Sequence, residues 1–268
     1  MAQADSTTQP LSRRDRLRAA TKDEIIQTAR QLLVRDGAAS VSLRAIAREM
    51  GMTAPGLYRY FGSHEELIRH VIAGIFTELG DDIRHAISDA YEGLLAAEAD
   101  AGDTEGDTTA DAARVMRAKH LVKMGAACRE FRRWALNHRG EFALIFGAPL
   151  PGIDDGRYDI ADECAIQFAG VFFALFYELW QEIRFPVPEP EELDPELRDQ
   201  LTRYRGGLGV DAPIGAMLTF LRCWVLLYGA VSMEVFGHLS FALDDGAAMF
   251  EITLSDLAEL VCLRHPLS

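Results

Sequence analysis

Residues 42–64, SLRAIAREMGMTAPGLYRYFGSH, constrain this chain more tightly than any other stretch. Leu43, Ile46, Ala47 and Met50 recur at i, i+3, i+4 and i+7, the spacing of one helical face. Gly51 then supplies the positive φ that a tight turn between two helices needs. Thr53 is a good N-cap for the next helix, and Pro55 falls in its first turn, where a missing N–H is tolerated. Leu57 and Phe61, four apart, give that helix an inward face, so Thr53, Ala54, Gly56, Tyr58 and Arg59 point outward. Small residues at its start allow close approach to a base edge, and a Tyr and an Arg one turn on reach phosphates. Such a layout is that of a helix-turn-helix reader.

A net charge of −14 argues against a nucleic-acid partner until it is divided along the chain. Residues 1–70 carry 11 Lys/Arg against 8 Asp/Glu, and the remainder carries 16 against 33. A mildly basic head therefore precedes a strongly acidic body, and contact with DNA is expected only at the head. Cys128, Cys164, Cys223 and Cys262 lie far apart with no CxxC, and read as reduced thiols in helical context. The amino-terminal arginines are followed by no apolar core of a secretory signal. The most apolar stretch, 216–233, is interrupted by Arg222 and followed by Glu234. It reads as a buried helix that pairs with a partner chain rather than a membrane span.

Residues 1–20 are expected to form a disordered basic arm. Its Arg13, Arg14, Arg16 and Arg18 are either solvated or within reach of phosphates and the adjacent minor groove. Thr21 with Glu24 fits a capping box opening a first helix, whose inner face is Ile25, Ile26, Ala29, Leu32 and Leu33 and which stops at Asp36-Gly37. Ser63 with Glu66 forms a second capping box. The helix it opens runs to about Leu95, with Gly80 as a point of weakness, and leads into an acidic loop at 96–110. Further helices are expected at about 111–138, 160–185, 213–236 and 245–263. Loops are expected at 153–157 and 186–195, with a break at 206–209. No repeat and no alternating strand pattern is present, so the fold class is all-α.

The stretch from about Thr21 to Leu67 resembles the DNA-binding motif of the tetracycline-repressor (TetR/AcrR) family. The pieces that carry the likeness are the helix ending in DG, LRAIAREMGM, APGLYRYF and SHEEL. Residues 131–152, FRRWALNHRGEFALIFGAPLPG, resemble more loosely one branch of the family's regulatory domains. The resemblance implies a helix-turn-helix head at 21–66 and an effector-binding and dimerisation body at 67–268. Arg44, opposite the buried face of its helix, is placed to fork onto a guanine, a discrimination of roughly 1–3 kcal/mol. Ala54 and Pro55 suit a thymine methyl. Tyr58, Arg59 and Tyr60 match the family's aromatic-rich triplet and are expected on phosphates or base edges, with packing on a neighbouring helix as the alternative for Tyr60. Ser42 and His64 lie at helix N-termini, where backbone N–H groups attract phosphate. Many relatives carry Lys at the position of His64, so the phosphate contact is weaker here.

Phe142, Phe146, Phe172, Phe173, Phe176, Tyr177 and Trp180 are more aromatics than two ordinary helix faces need. Each taken singly reads as core. The resemblance turns the group, with Met124 and Cys128, into the wall of a cavity for a lipophilic effector, with Tyr177, Gln167 or Glu178 as sparse polar groups. The helix around Leu221, Trp224, Val225, Tyr228 and Val231 is apolar on nearly every side. The last helix, with Leu257 and Val261, covers one side, and a second copy is expected to cover the other. GxSxG, P-loop and HExxH patterns are missing, so no catalytic residue, metal or cofactor is expected. The function implied is a cytoplasmic, homodimeric repressor, released from a palindromic double-stranded operator by a small-molecule effector, with no membrane partner. The alternatives are a helical partner- or lipid-binding protein with a vestigial head, and a TetR-like activator.

Overall fold

A computed structural model describes residues 12–37, 41–101, 108–147 and 159–263. The tail at 1–11, the turn at 153–157 and the middle of the acidic loop, 102–107, lie outside the described residues. Among the described residues the chain forms α1 (Arg13–Asp36), α2 (Leu43–Glu49), α3 (Ala54–Leu57), α4 (His64–Ala101), α5 (Thr108–Asn137), α6 (Arg139–Phe146), α7 (Ile160–Ile183), α8 (Pro195–Leu208), α9 (Ile214–Val235) and α10 (Ala247–Leu260). A 3-10 turn covers Pro190–Glu192, and no strand occurs among the described residues, so the fold is all-α. The chain divides into two compact units. Met1–Phe76 with Gly140–Cys164 form one, and Thr77–Arg139 with Ala165–Ser268 the other.

In the first unit, α1 buries Ile25, Ala29, Leu32 and Leu33, the helical face read from the sequence. Its start differs from the expectation. Ser12 is the N-cap, accepting from the Asp15 N–H, and residues 13–20 are helical rather than a disordered arm. The run RRDRLRAA contains no helix breaker and is rich in strong helix formers, so the cap at Ser12 propagates straight into the apolar part. Thr21 lies inside the helix, where its hydroxyl donates to the Leu17 carbonyl at 3.0 Å. The helix ends at Gly37, φ 82°, whose N–H closes on the Leu33 carbonyl.

Residues 140–164, read from the sequence as body, belong to this first unit. The reason is a buried ion pair and aromatic contacts that no local pattern announces. Arg30 of α1 donates to Glu141 of α6 at 3.2 Å, and Arg69 of α4 pairs with Asp159 at 2.6 Å. Phe146 stands edge-on to Phe76 at 5.6 Å and packs on the fully buried Phe142 at 5.0 Å. The second cap is a variant of the expected box. Ser63 Oγ accepts from the Glu66 N–H, but Glu66 reaches back to the Gly62 N–H at 2.7 Å, one residue earlier than the usual partner. From there α4 runs unbroken through Gly80 to Ala101.

In the second unit, α9 packs on α5, α8 and α10, and α10 also meets α5. Helix α8 occupies a stretch left unassigned between the expected loop and break. Asp194 caps it, Pro195 sits at its first position, and it ends on Gly209 in the left-handed region rather than at Gly206. Phe131, Phe168, Phe172 and Trp224 form an aromatic cluster with ring centroids 5.6–6.0 Å apart. A polar ladder joins α5 to α7. Lys119 meets Glu178 at 2.9 Å and Glu182 at 3.2 Å, Lys123 meets Glu178 at 3.1 Å, and the buried His120 meets Glu182 at 2.8 Å.

The hydrogen bond from His120, helped by Lys119, holds the Glu182 carboxyl below its ordinary range. A depressed carboxylate contributes stability above its unfolded pKa, and that contribution is lost as pH falls through the folded value. Glu182→Gln keeps an acceptor for His120 but removes the charge. We expect it to lower the melting temperature at pH 7, with the gap to wild type closing below pH 4.5, the ordinary value. Thermal melts across this range are the check, and a gap independent of pH would contradict the assignment.

Candidate nucleic-acid interface and cavity

The two helices of the turn are held by caps that sequence alone identifies. Ser42 Oγ accepts from the Ala45 N–H at 3.2 Å, and Thr53 Oγ1 from the Gly56 N–H at 3.3 Å. Gly51 adopts φ 63°, and the Met52 N–H closes the turn on the Ala47 carbonyl at 2.8 Å. Helix α3 is short, and Tyr58–Tyr60 continue it as turns, with the Tyr60 N–H on the Leu57 carbonyl. Leu57 and Phe61 are fully buried beneath it. Ser42, Arg44, Thr53, Pro55, Tyr58 and Arg59 are exposed, and Ala54, Gly56 and Tyr60 are half-buried. A Cβ on Gly56 would lie 3.2 Å from Thr53 Oγ1, so glycine there lets the cap form without crowding.

His64 takes a different part from the one expected. It is half-buried, and its Nε2 donates to the Val41 carbonyl at 2.7 Å. The ring therefore ties the start of α4 to the residue before the Ser42 cap, and this nitrogen is not available to a phosphate. Arg18, read from the sequence as part of a loose arm, donates from Nη2 to the Arg59 carbonyl at 3.2 Å. The first turns of α1 are thus joined to the residue beside Tyr58, and Arg13, Arg14 and Arg16 stand exposed on the same turns. Arg35, by contrast, is engaged with Asp36 and Glu49.

The second unit holds a partly open cavity of about 350 Å³ with walls from α5, α7, α9 and α10. Met124, Cys128, Phe172 and Phe176 line it. The other aromatics expected there do not. Phe142 and Phe146 belong to the first unit, Phe173 stacks on Tyr177 and meets Phe220 edge-on, and Trp180 packs on Phe185. Tyr177 donates instead to the Asp211 carbonyl, and Glu178 is held in the α5–α7 ladder. Sequence reasoning missed Leu121, Gly125 and Arg129 of α5, Phe220, Cys223 and Leu227 of α9, and Glu251, Ser255 and Ala258 of α10. Each set recurs at three- and four-residue spacing, and its small members, Gly125, Ser255 and Ala258, were the available signal. Burial pushes the Cys128 thiol up to about 12 and the Cys223 thiol up to about 11, so both stay neutral. The charged lining residues Arg129 and Glu251 are bonded to each other.

Trp224 and Leu257, expected at an interface between copies, also line this cavity. Val231 and Val261 are fully buried within the chain, Tyr228 stacks on Trp224 at 6.1 Å, and Leu221 is half-buried. Of that expected set only Val225 stands out, 66% exposed. The exposed apolar side chains of α9 and its C-cap are instead Val225, Leu226, Met233 and Phe236, and Met249 and Ile252 of α10 and Phe241 of the connector are exposed as well. On a helix apolar all round, periodicity has no phase, so it could not tell the inner stripe from the outer one.

Residues 25–71 match bacterial regulatory proteins of the tetR family, and residues 124–257 match the tetracyclin repressor-like C-terminal domain. The chain is similar to the HTH-type transcriptional regulators Rv1816 of Mycobacterium tuberculosis (strain ATCC 25618 / H37Rv) and Mb1846 of Mycobacterium bovis. It is 28% identical to each over 231 residues, which span 84% of this chain and 85% of the relative. The solved structure of the protein SCO4313 superposes with a TM-score of 0.64 at 27% identity, spanning 92% of this chain and 100% of that one. A protein from Rhodococcus sp. RHA1 shares the fold alone, with a TM-score of 0.54 at 16% identity over 96% of this chain and 98% of that one.

For a face of this make, Arg44→Ala should weaken binding to the preferred duplex by roughly 5–150-fold, the equivalent of a lost bidentate base contact. Preference at one guanine per half-site should relax with it. Fluorescence anisotropy on matched and random duplexes is the check. An equal loss on both would assign Arg44 to phosphate only.

Proposed function

We propose, given that this chain belongs to the TetR family of bacterial regulatory proteins, that it acts as a homodimeric repressor released from its operator by a small lipophilic effector. The observation that carries this reading is the outward set Ser42, Arg44, Thr53, Pro55, Tyr58 and Arg59, held by two side-chain caps over a fully buried Leu57 and Phe61. That the protein is a DNA-binding transcriptional regulator follows from its family; repression and release are the finer reading. In this reading residues 21–66 read DNA and residues 67–268 sense the effector and dimerise, although 140–164 pack with the first unit. The His64 side chain serves the backbone just before α2.

The mostly apolar cavity, open to solvent on one side, supports a lipophilic effector, and its volume lies at the small end of the range for ligand sites. The exposed stripes on α9 and α10 support a second copy as the partner, since an exposed patch of this kind marks an interface. Helices α7 and α9 are long and apolar enough to cross a membrane by composition. Their use as walls of the cavity supports instead a cytoplasmic protein with no membrane partner. Two heads related by a two-fold axis read half-sites about 34–36 Å apart, or a multiple of that. An effector that favours a dimer of different spacing lowers operator affinity, and a coupling of about 1–3 kcal/mol is enough for roughly 5–150-fold. The chain uses no catalytic residue, metal or cofactor in this reading.

Val225→Glu tests it. The side chain is exposed in the single chain, so the substitution leaves each chain folded, while an unpaired charge buried between copies is strongly unfavourable. We expect a folded monomer by sedimentation, with wild-type circular dichroism. In a gel shift on DNA upstream of the chain's own coding region, wild type should bind specifically and the variant should lose the shifted band. A variant that remains dimeric and shifts DNA would place the interface elsewhere.

A further inference from the structure

The cavity of the second unit has one charged wall. Arg129 of α5 and Glu251 of α10 both line it and are both about half-exposed, so they stand where it meets solvent. Glu251 takes only one edge of the guanidinium, with Nε donating to Oε1 at 2.8 Å and Nη2 to Oε2 at 2.7 Å. Nη1 takes no part in those bonds. It lies back along α5 over Gly125, also a lining residue, where a Cβ would come within 2.9 Å of it. Glycine at 125 therefore lets the guanidinium fold onto the cavity wall, and the Nη1–Nη2 edge stays outside the paired bond to Glu251.

The neighbouring groups decide what that acceptor is. Both oxygens of Glu251 already accept from Arg129, so a cationic head would meet the like charge of the guanidinium beside that carboxylate. Arg132, one turn further on α5, is held by Glu234. The interior is formed by Phe172, Phe176, Phe220 and Trp224, with Cys128 and Cys223 as neutral thiols. A guanidinium presents its donors in a rigid fork that matches a carboxylate on each edge.

From this geometry we propose that the cavity binds an amphiphile with a carboxylate head, the head on the Nη1–Nη2 edge of Arg129 and the apolar tail between the rings of α7 and α9. The proposal rests on the reading of the cavity as a ligand site and names the class of ligand. Gly125 is then a specificity determinant, since it positions the fork without touching the ligand's charge. Glu251 is a positioning residue that fixes the plane of the guanidinium.

The test uses the full chain with decanoate, methyl decanoate and decylamine as competitors for a neutral solvatochromic dye. Decanoate should displace the dye at least about tenfold better than its methyl ester, as expected for a hydrogen bond to a charged group. Arg129→Gln should abolish that preference while the ester binds as before, which shows the cavity intact. Gly125→Ala, a good helix residue that pushes Nη1 aside, should shrink the preference in the same direction. Equal displacement by acid and ester in wild type, or a preference that survives Arg129→Gln, would overturn the assignment of the head group. Tightest binding by decylamine would overturn it in favour of Glu251. Those results leave the cavity reading standing, whereas a dye that never binds would remove the ligand site itself.

Discussion

Leu57 and Phe61 are fully buried, and every outward residue of the reading helix takes its direction from them. Helix α3 is too short to hold itself together by its own hydrogen bonds, because nucleation of an isolated turn is unfavourable. Tertiary burial on one side and caps on the other do the work. Thr53 satisfies an orphan N–H at the start, Ser42 does so for α2, and His64 fixes the backbone just before Ser42. Arg18 then satisfies the Arg59 carbonyl at the far end. With its ends satisfied and its apolar face buried, the segment presents Tyr58 and Arg59 to solvent in one orientation, as a reader of base edges requires.

In the second unit the same physics yields a cavity. Helices α7 and α9 carry more large apolar side chains than a single packing face absorbs. Rings that meet edge-on or tilted, as in the Phe131, Phe168, Phe172 and Trp224 cluster, leave gaps where a neighbouring helix offers small residues. Gly125 on α5 and Ser255 and Ala258 on α10 are those small residues, and all three line the cavity. The outer stripe of α9 remains uncovered, with Val225 and Phe241 the most exposed apolar side chains near it. The inner stripe thus favours a ligand and the outer one a second copy.

The turn at 42–64 was legible because everything that defines it is local: a cap, a glycine with positive φ, a proline in the first turn and two apolar residues four apart. The bounds of α9 were legible for the same reason, since Pro213 starts it and Gly237, φ 71°, follows its end. What stayed hidden depends on partners distant in sequence. Phe142 and Phe146 left the expected cavity because Glu141 pairs with Arg30, 111 residues away. Trp224 lines the cavity, and the exposed face of α9 was hard to read because Arg222 shares it with the apolar Val225 and Leu226. The helical start of α1 was hidden because Thr21 with Glu24 offers a plausible capping box nine residues after the cap at Ser12.

The proposed function couples occupancy of the cavity to affinity for DNA. The most direct measurement titrates operator affinity of the full chain against a ligand known from dye displacement to occupy the cavity, with Phe176→Ala as a control that alters the wall. Affinity should fall by roughly 5–150-fold as the cavity fills, and the altered wall should shift the ligand concentration at which it falls. A ligand that saturates the cavity while operator affinity stays constant would contradict the account.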